Sequence, residues 1–162
     1  GICNGFQALI KLGLVPYGEI RDIDATQPTL TYNRIGRHMS RMVKTRITSV
    51  LSPWLANVEV GDVHQIAVSH GEGRFVASEK DMQRMIANGQ FATQYVNDEG
   101  QPSYDIRYNP NGSDYAVEAI TSPDGRVLGK MGHSERIGTH LYLNIPLEKD
   151  QHLFEGGVNY FK

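Results

Sequence analysis

The segment Gly1-Ile2-Cys3-Asn4-Gly5-Phe6-Gln7 constrains this chain more than any other, because it places glycines two positions either side of a cysteine and then passes directly into helical spacing. Phe6, Leu9, Ile10 and Leu12 share one helix face, and Gly13 is placed to end it. A cysteine so placed sits on a sharp turn at a helix N-terminus, where small neighbours relieve crowding. Free N–H groups and the helix dipole there favour the thiolate, so a thiol pKa below about 8.5 is expected. The N–H of Asn4 is placed to donate to an oxyanion. A cysteine without such surroundings is more often a small buried hydrophobe.

The rest of the chain alternates strand-like and helix-like stretches, separated by Gly, Pro, Asn and Asp clusters. Met39 to Val50 reads as a strand, with β-branched Val43, Thr45, Ile47 and Thr48, and Val63 to Val68 as another. Asp81 to Asn88 has the spacing of a short helix stopped by Gly89. Phe91 to Val96, Tyr115 to Ile120 and Arg126 to Met131 are further strands, the last two joined by the turn Ser122-Pro123-Asp124-Gly125. A final helix is expected from about Asp150, weakened by Gly156-Gly157 at about 1 kcal/mol per glycine. The pattern predicts an α/β domain with an open, largely parallel sheet and some antiparallel strands in the middle. The elbow belongs at the carboxyl edge of such a sheet. Nothing precedes Gly1 to form the strand that should lead into it, so the chain reads as part of one domain, residues 1–162.

Composition removes several function classes. Hydrophobic residues at 40% and charged residues at 21% are ordinary for a globular domain. A formal net charge of −2 gives no electrostatic reason to expect nucleic acid or an anionic membrane as partner. No apolar run approaches the roughly 20 residues that span a bilayer. With one cysteine there is no internal disulfide framework and no cysteine-built metal site, which points to the cytosol.

A cysteine nucleophile needs a base. Among six histidines, His133 follows a strand, lies in a glycine-bearing loop and has Glu135 two residues on, where an extended backbone points both side chains the same way. His38, His64, His140 and His152 lack such company and read as surface or capping residues.

With Gln7 added, the elbow becomes Gly-x-Cys-x-Gly-x-Gln, and it resembles that of class I (Cys-His-Glu) glutamine amidotransferases. The His-x-Glu pair stands 130 residues after the cysteine, as in that family. Four further segments appear in order: Val68-Ser69-His70-Gly71-Glu72-Gly73-Arg74-Phe75, Tyr108-Asn109-Pro110-Asn111-Gly112-Ser113, Gly125-Arg126-Val127 and Gly132-His133-Ser134-Glu135-Arg136. Together they are similar to the glutaminase domains of the phosphoribosylformylglycinamidine synthase family, from Gly1 to about Arg136. Asn33, Arg37 and Arg41 match a polar stretch of the same family.

The resemblance implies a flavodoxin-like or Rossmann-like open sheet whose first strands lie outside this chain. It implies glutamine hydrolysis through a cysteinyl thioester, with ammonia passed to a synthetase domain for the amidation of formylglycinamide ribonucleotide in purine synthesis. Cys3 would be the nucleophile, His133 the base and Glu135 its partner. Asn4, Gln7, Ser69, Gly71 and Glu72 would bind L-glutamine. No metal or cofactor is implied in this domain; ATP and magnesium would be bound by the synthetase, on the same chain or a separate subunit. The second oxyanion donor would come from upstream, so these residues alone are expected to be inactive, with Cys3 on a frayed end. Alternatives stay open. Ser69 to Arg74 can be a glycine-rich turn, Asn109 to Ser113 a plain turn, Gln7 a solvated helix residue, and the whole an inert α/β interaction module. The chain also departs from the family. Many members carry Pro-His-Pro-Glu-Arg where this chain has Gly132-His133-Ser134-Glu135-Arg136, and Ile35, His38 and Met39 replace more polar or aromatic residues.

Overall fold

The computed structural model describes residues 1–162. Helix α1 (Asn4–Leu12) opens the chain and ends on Gly13 in the left-handed conformation, as its pattern requires. Strands β1 (Thr29–Thr31), β2 (Met39–Ile47), β3 (Val63–His70) and β4 (Arg74–Val76) follow. Then come helix α2 (Glu79–Ala87), strands β5 (Phe91–Tyr95), β6 (Val117–Thr121) and β7 (Leu128–Lys130), and helix α3 (Leu153–Tyr160). No helix is long and apolar enough to cross a membrane.

The main sheet has the order β3-β2-β5-β6-β7 and β1 pairs separately with β4. Every ladder is antiparallel. The expected α/β mixture is present, but the largely parallel sheet is not. Parallel neighbours need a crossover of a dozen or more residues, usually a helix. Here the tight turn at residues 122–125 returns β6 to β7 directly, and α2 joins strands of different sheets. Parallel pairing is confined to one bridge, Ile2 to Lys130.

That bridge holds the elbow. The Gly1 nitrogen donates to the Leu128 carbonyl at 2.7 Å, Lys130 N–H to Gly1 O at 3.0 Å and Cys3 N–H to Lys130 O at 2.8 Å. The expectation of a frayed elbow is therefore corrected: residues 1–3 lie along β7 as a short added strand.

The sheet also curls until its two ends meet. The outer edge of β3 presents Gln65 N–H to Glu148 O at 2.8 Å and Ala67 O to His133 N–H at 2.8 Å, and Ser69 O faces Cys3 Sγ at 3.5 Å. Inside the curl lie Val43, Ile66, Val68, Tyr95 and Ala116. One face buries Phe6, Ile10, Met82, Met85, Phe91, Val117, Ile120 and Met131 beneath α1 and α2. The other buries Ile47, Leu55, Ala92, Ala119 and Leu128 against Leu153 of α3.

Other sequence expectations shift by a few residues. Helix α2 begins earlier than expected because Ser78 caps it, its hydroxyl accepting from Asp81 N–H at 3.1 Å. Gly156-Gly157 does not weaken α3; it permits the helix to dock. A Cβ on Gly157 would stand 2.1 Å from the Trp54 ring, and one on Gly156 2.9 Å from Pro53 O.

Gly129 in β7 plays the same part for α1, since a Cβ there would fall 2.3 Å from the fully buried Phe6 ring. Gly129→Ala forces α1 away from the sheet, and overpacking of this kind costs about 1–3 kcal/mol. The denaturation midpoint of the variant is expected to fall accordingly; an unchanged midpoint would show that α1 does not depend on this contact.

Candidate active site

Cys3 precedes α1 with φ 52° and ψ −106°, a conformation that non-glycine residues rarely hold and that functional turns store as strain. The two flanking glycines differ in what they do. A Cβ on Gly1 would lie 2.6 Å from Leu9 and 2.7 Å from the Gly5 backbone, whereas one on Gly5 would meet nothing within 4 Å. Crowding explains the first glycine only.

The thiol is half-buried. Burial pushes its pKa above the ordinary cysteine value, the Asn4 N–H and the Arg136 guanidinium pull it down, and Glu135 adds to the rise. The expected lowering is corrected. Desolvation of the thiolate outweighs the single N–H and the guanidinium.

His133 follows β7 on the loop that Ala67 O anchors to β3. Its Nδ1 meets Glu135 Oε1 at 2.6 Å, while its Nε2 is buried without a hydrogen-bond partner. The spacing predicted this pairing. His133 N–H and Cys3 Sγ are held at carbonyls two residues apart on one strand, about 7 Å along it.

The other predicted residues gather at the same place. Gln7 reaches from α1 to donate its amide to Glu72 O at 2.9 Å, so it is not a free solvated residue. Ser69 ends next to the thiol, and its hydroxyl meets His38 Nε2 at 3.0 Å. His38 is exposed, as read from sequence, and touches this loop, whereas His64, read the same way, is buried. Asn4 and Glu72 are exposed. A Cβ on Gly71 would meet nothing within 4 Å, whereas one on Gly73 would strike the His70 ring at 2.7 Å. The fold therefore requires glycine at 73 and leaves space at 71.

Asn33 shapes that loop. Buried, it donates to Arg37 O at 3.0 Å and His70 O at 2.8 Å, and its Oδ1 faces Gly73 N–H at 3.2 Å and His70 Nδ1 at 3.1 Å. The Asn109–Ser113 segment buttresses it, with Asn111 Nδ2 on Gly73 O at 2.7 Å and Ser113 Oγ accepting from Phe75 N–H at 2.9 Å. Asn109, Asn111 and Ser113 are fully buried. The segment is a turn whose amides support the Ser69–Gly73 loop from below.

Residues 1–161 match the CobB/CobQ-like glutamine amidotransferase domain, and the chain belongs to that family. Among its relatives is the phosphoribosylformylglycinamidine synthase subunit PurQ of Aquifex aeolicus, 33% identical over 145 residues, covering 86% of this chain and 58% of the relative. The phosphoribosylformylglycinamidine synthase of Dictyostelium discoideum is 37% identical over 138 residues, covering 84% of this chain and 10% of the much longer relative. A chain in the PurLQS structure from Thermotoga maritima superposes with a TM-score of 0.71 at 26% identity, covering all of this chain and 61% of that one. The chain thus spans less than two thirds of the length of these relatives.

His70 gives the site a pH signature. Burial is the main cause that holds its pKa down, to about 4 from 6.5; a backbone hydrogen bond and Glu118 oppose it, and nearby His38 and His133 act with it. The fold thus keeps the ring neutral where the unfolded chain already binds a proton. Stability therefore falls as pH drops from about 6.5 towards 4, by roughly 3 kcal/mol from this group. His70→Gln should flatten that acid slope when unfolding midpoints are measured between pH 4 and 7; a slope equal to the parent's would remove His70 as its source.

Proposed function

We propose that this domain hydrolyses L-glutamine and supplies the ammonia for a phosphoribosylformylglycinamidine synthase. The carrying observation is His133, whose Nδ1 is occupied by Glu135 while its Nε2 is buried and bare, and whose main chain is held at a β3 carbonyl two residues from the one that faces the Cys3 thiol. That nitrogen can take the thiol proton as sulfur attacks the glutamine amide carbon. It returns the proton to the departing nitrogen, leaving ammonia and a glutamyl thioester. Water then attacks the thioester, His133 accepts its proton, and glutamate leaves as the thiol is restored. Because burial disfavours a free thiolate at Cys3, reactivity depends on this transfer rather than on a preformed anion.

Asn4 N–H would stabilise the developing oxyanion. The open space at Gly71, with Ser69, Glu72 and Gln7 around it, would receive the amino-acid end of the substrate. Ammonia would pass to a synthetase partner, a subunit or a linked domain. That partner would use ATP and magnesium to activate the amide of formylglycinamide ribonucleotide.

A second reading, an inert interaction module, has the raised thiol on its side. It gives no reason for Cys3, the His133–Glu135 pair and the Ser69 loop to converge on one strand edge.

In the complete enzyme, Cys3→Ser should abolish glutamine-dependent activity and spare activity with ammonium salt. His133→Ala should lower glutamine turnover by roughly 10²–10⁴-fold, and Glu135→Gln by less, since the proton carrier remains. Equal loss of the glutamine and ammonium activities in Cys3→Ser, with the fold intact, would reject the nucleophile assignment.

A further inference from the structure

Lys130 is the last residue of β7 and is 1% exposed. Its main chain serves the nucleophile, donating to Gly1 O at 3.0 Å and accepting from Cys3 N–H at 2.8 Å. Its side chain serves the base: Nζ donates to Gly132 O at 3.1 Å and to Ser134 Oγ at 2.7 Å, the residues immediately before and after His133. One residue thereby joins both halves of the dyad by separate sets of hydrogen bonds.

The surroundings fix this lysine tightly. Glu118, fully buried on β6, stands 3.4 Å from Nζ, and the same carboxylate oxygen accepts from Gly132 N–H at 2.5 Å. The Thr93 hydroxyl holds the other oxygen. Ser134 Oγ donates to Gln151 Oε1 at 2.6 Å, tying the loop to the segment ahead of α3. Ammonium and carboxylate therefore grip the Gly132 peptide from its two sides. A Cβ on Gly132 would lie 2.9 Å from that carboxylate oxygen and 3.2 Å from Nζ, so the grip requires glycine.

A buried ion pair seldom adds net stability over a well-packed apolar pair; what it can give is a fixed arrangement. Here its hydrogen bonds converge on residues 132–134, with one more, from the Thr93 hydroxyl, anchoring the carboxylate to β5. We propose that Lys130 is a positioning residue for glutamine hydrolysis, setting, with Glu118 and Ser134, the separation between the Cys3 sulfur and the His133 ring. The ion pair stiffens this loop by holding Gly132 and Ser134, the residues on either side of the histidine. This inference rests on the glutaminase reading above.

The test is the double variant Lys130→Met with Glu118→Gln in the complete enzyme. It leaves no buried charge unpaired and keeps an acceptor for Gly132 N–H. Glutamine kcat should fall at least about tenfold, because small misplacements of a base are costly. KM for glutamine should stay within about twofold, since the Ser69–Glu72 loop is untouched. The pH at which kcat/KM reaches half its maximum should move, and ammonium-dependent activity should not change. Ser134→Ala, a milder change that guards against a folding failure of the double variant, should lower kcat about threefold or more at unchanged KM. Combined with the double variant it should add little, because the residues act as one unit.

Parent-level kcat and an unmoved pH profile in a folded double variant would overturn the proposal. So would a parent-level kcat in Ser134→Ala, or a rise in KM that accounts for the whole loss. Failure of the parent enzyme itself to hydrolyse glutamine would reject the glutaminase reading instead, so the two outcomes are separable.

Discussion

The free edge of β3 is the constraint on which the site depends. Its groups at residues 65, 67 and 69 alternate outward as any extended strand must, and each meets a different part of the chain: Glu148, His133 and Cys3. An edge strand left open would be a liability. Here the curl of the sheet brings β7, its added strand at residues 1–3 and the His133 loop round to cover it. Nucleophile and base owe their proximity to the period of one strand, although 130 residues separate them.

Two layers of buried polar groups hold this seam. Under the Ser69–Gly73 loop, Asn33, His70, Asn111 and Ser113 satisfy one another and the loop backbone. Behind the His133 loop, Glu118, Lys130, Thr93, Ser134 and Gln151 do the same. His70 Nε2 and Gln151 Nε2 lack partners, and the remaining hydrogen bonds fix the two loops from beneath. The exposed Glu72 thus sits on a loop whose shape is set from beneath, while exposed Asn4 opens α1.

The sequence made much of this visible. The elbow, the start and stop of α1, the β2, β3, β5 and β6 strands and the His133–Glu135 pair all follow from local spacing, because each is fixed by residues within a few positions of one another. What was hidden depends on distant partners. Parallel or antiparallel pairing is decided by which edges meet, and a three-residue strand such as β1 or β4 carries too little period to detect. Gly157 looked like a helix defect because Trp54, about a hundred residues away, was not in view. The direction of the Cys3 pKa was misread for the same reason: the helix terminus is local, whereas burial of the thiol against Ser69 is not. The roles of Asn109, Asn111 and Ser113 were split between turn and function. They prove to be a turn made of buried amides.

The close fit around Gly132 also bears on how such a loop can change in descent. Proline at that position would remove the N–H that Glu118 accepts and place ring atoms where the carboxylate stands, and proline at 134 would remove the hydroxyl on Lys130. Proline at either position is therefore incompatible with the hydrogen bonds that this ion pair makes to the loop. Replacing Lys130 or Glu118 singly leaves a buried charge without its partner, at about 3–5 kcal/mol, a large share of what keeps a domain of this size folded. A chimera that takes β6 from this chain and β7 from one without the lysine would inherit the same defect, so the span from Glu118 to Ser134 exchanges only as a unit.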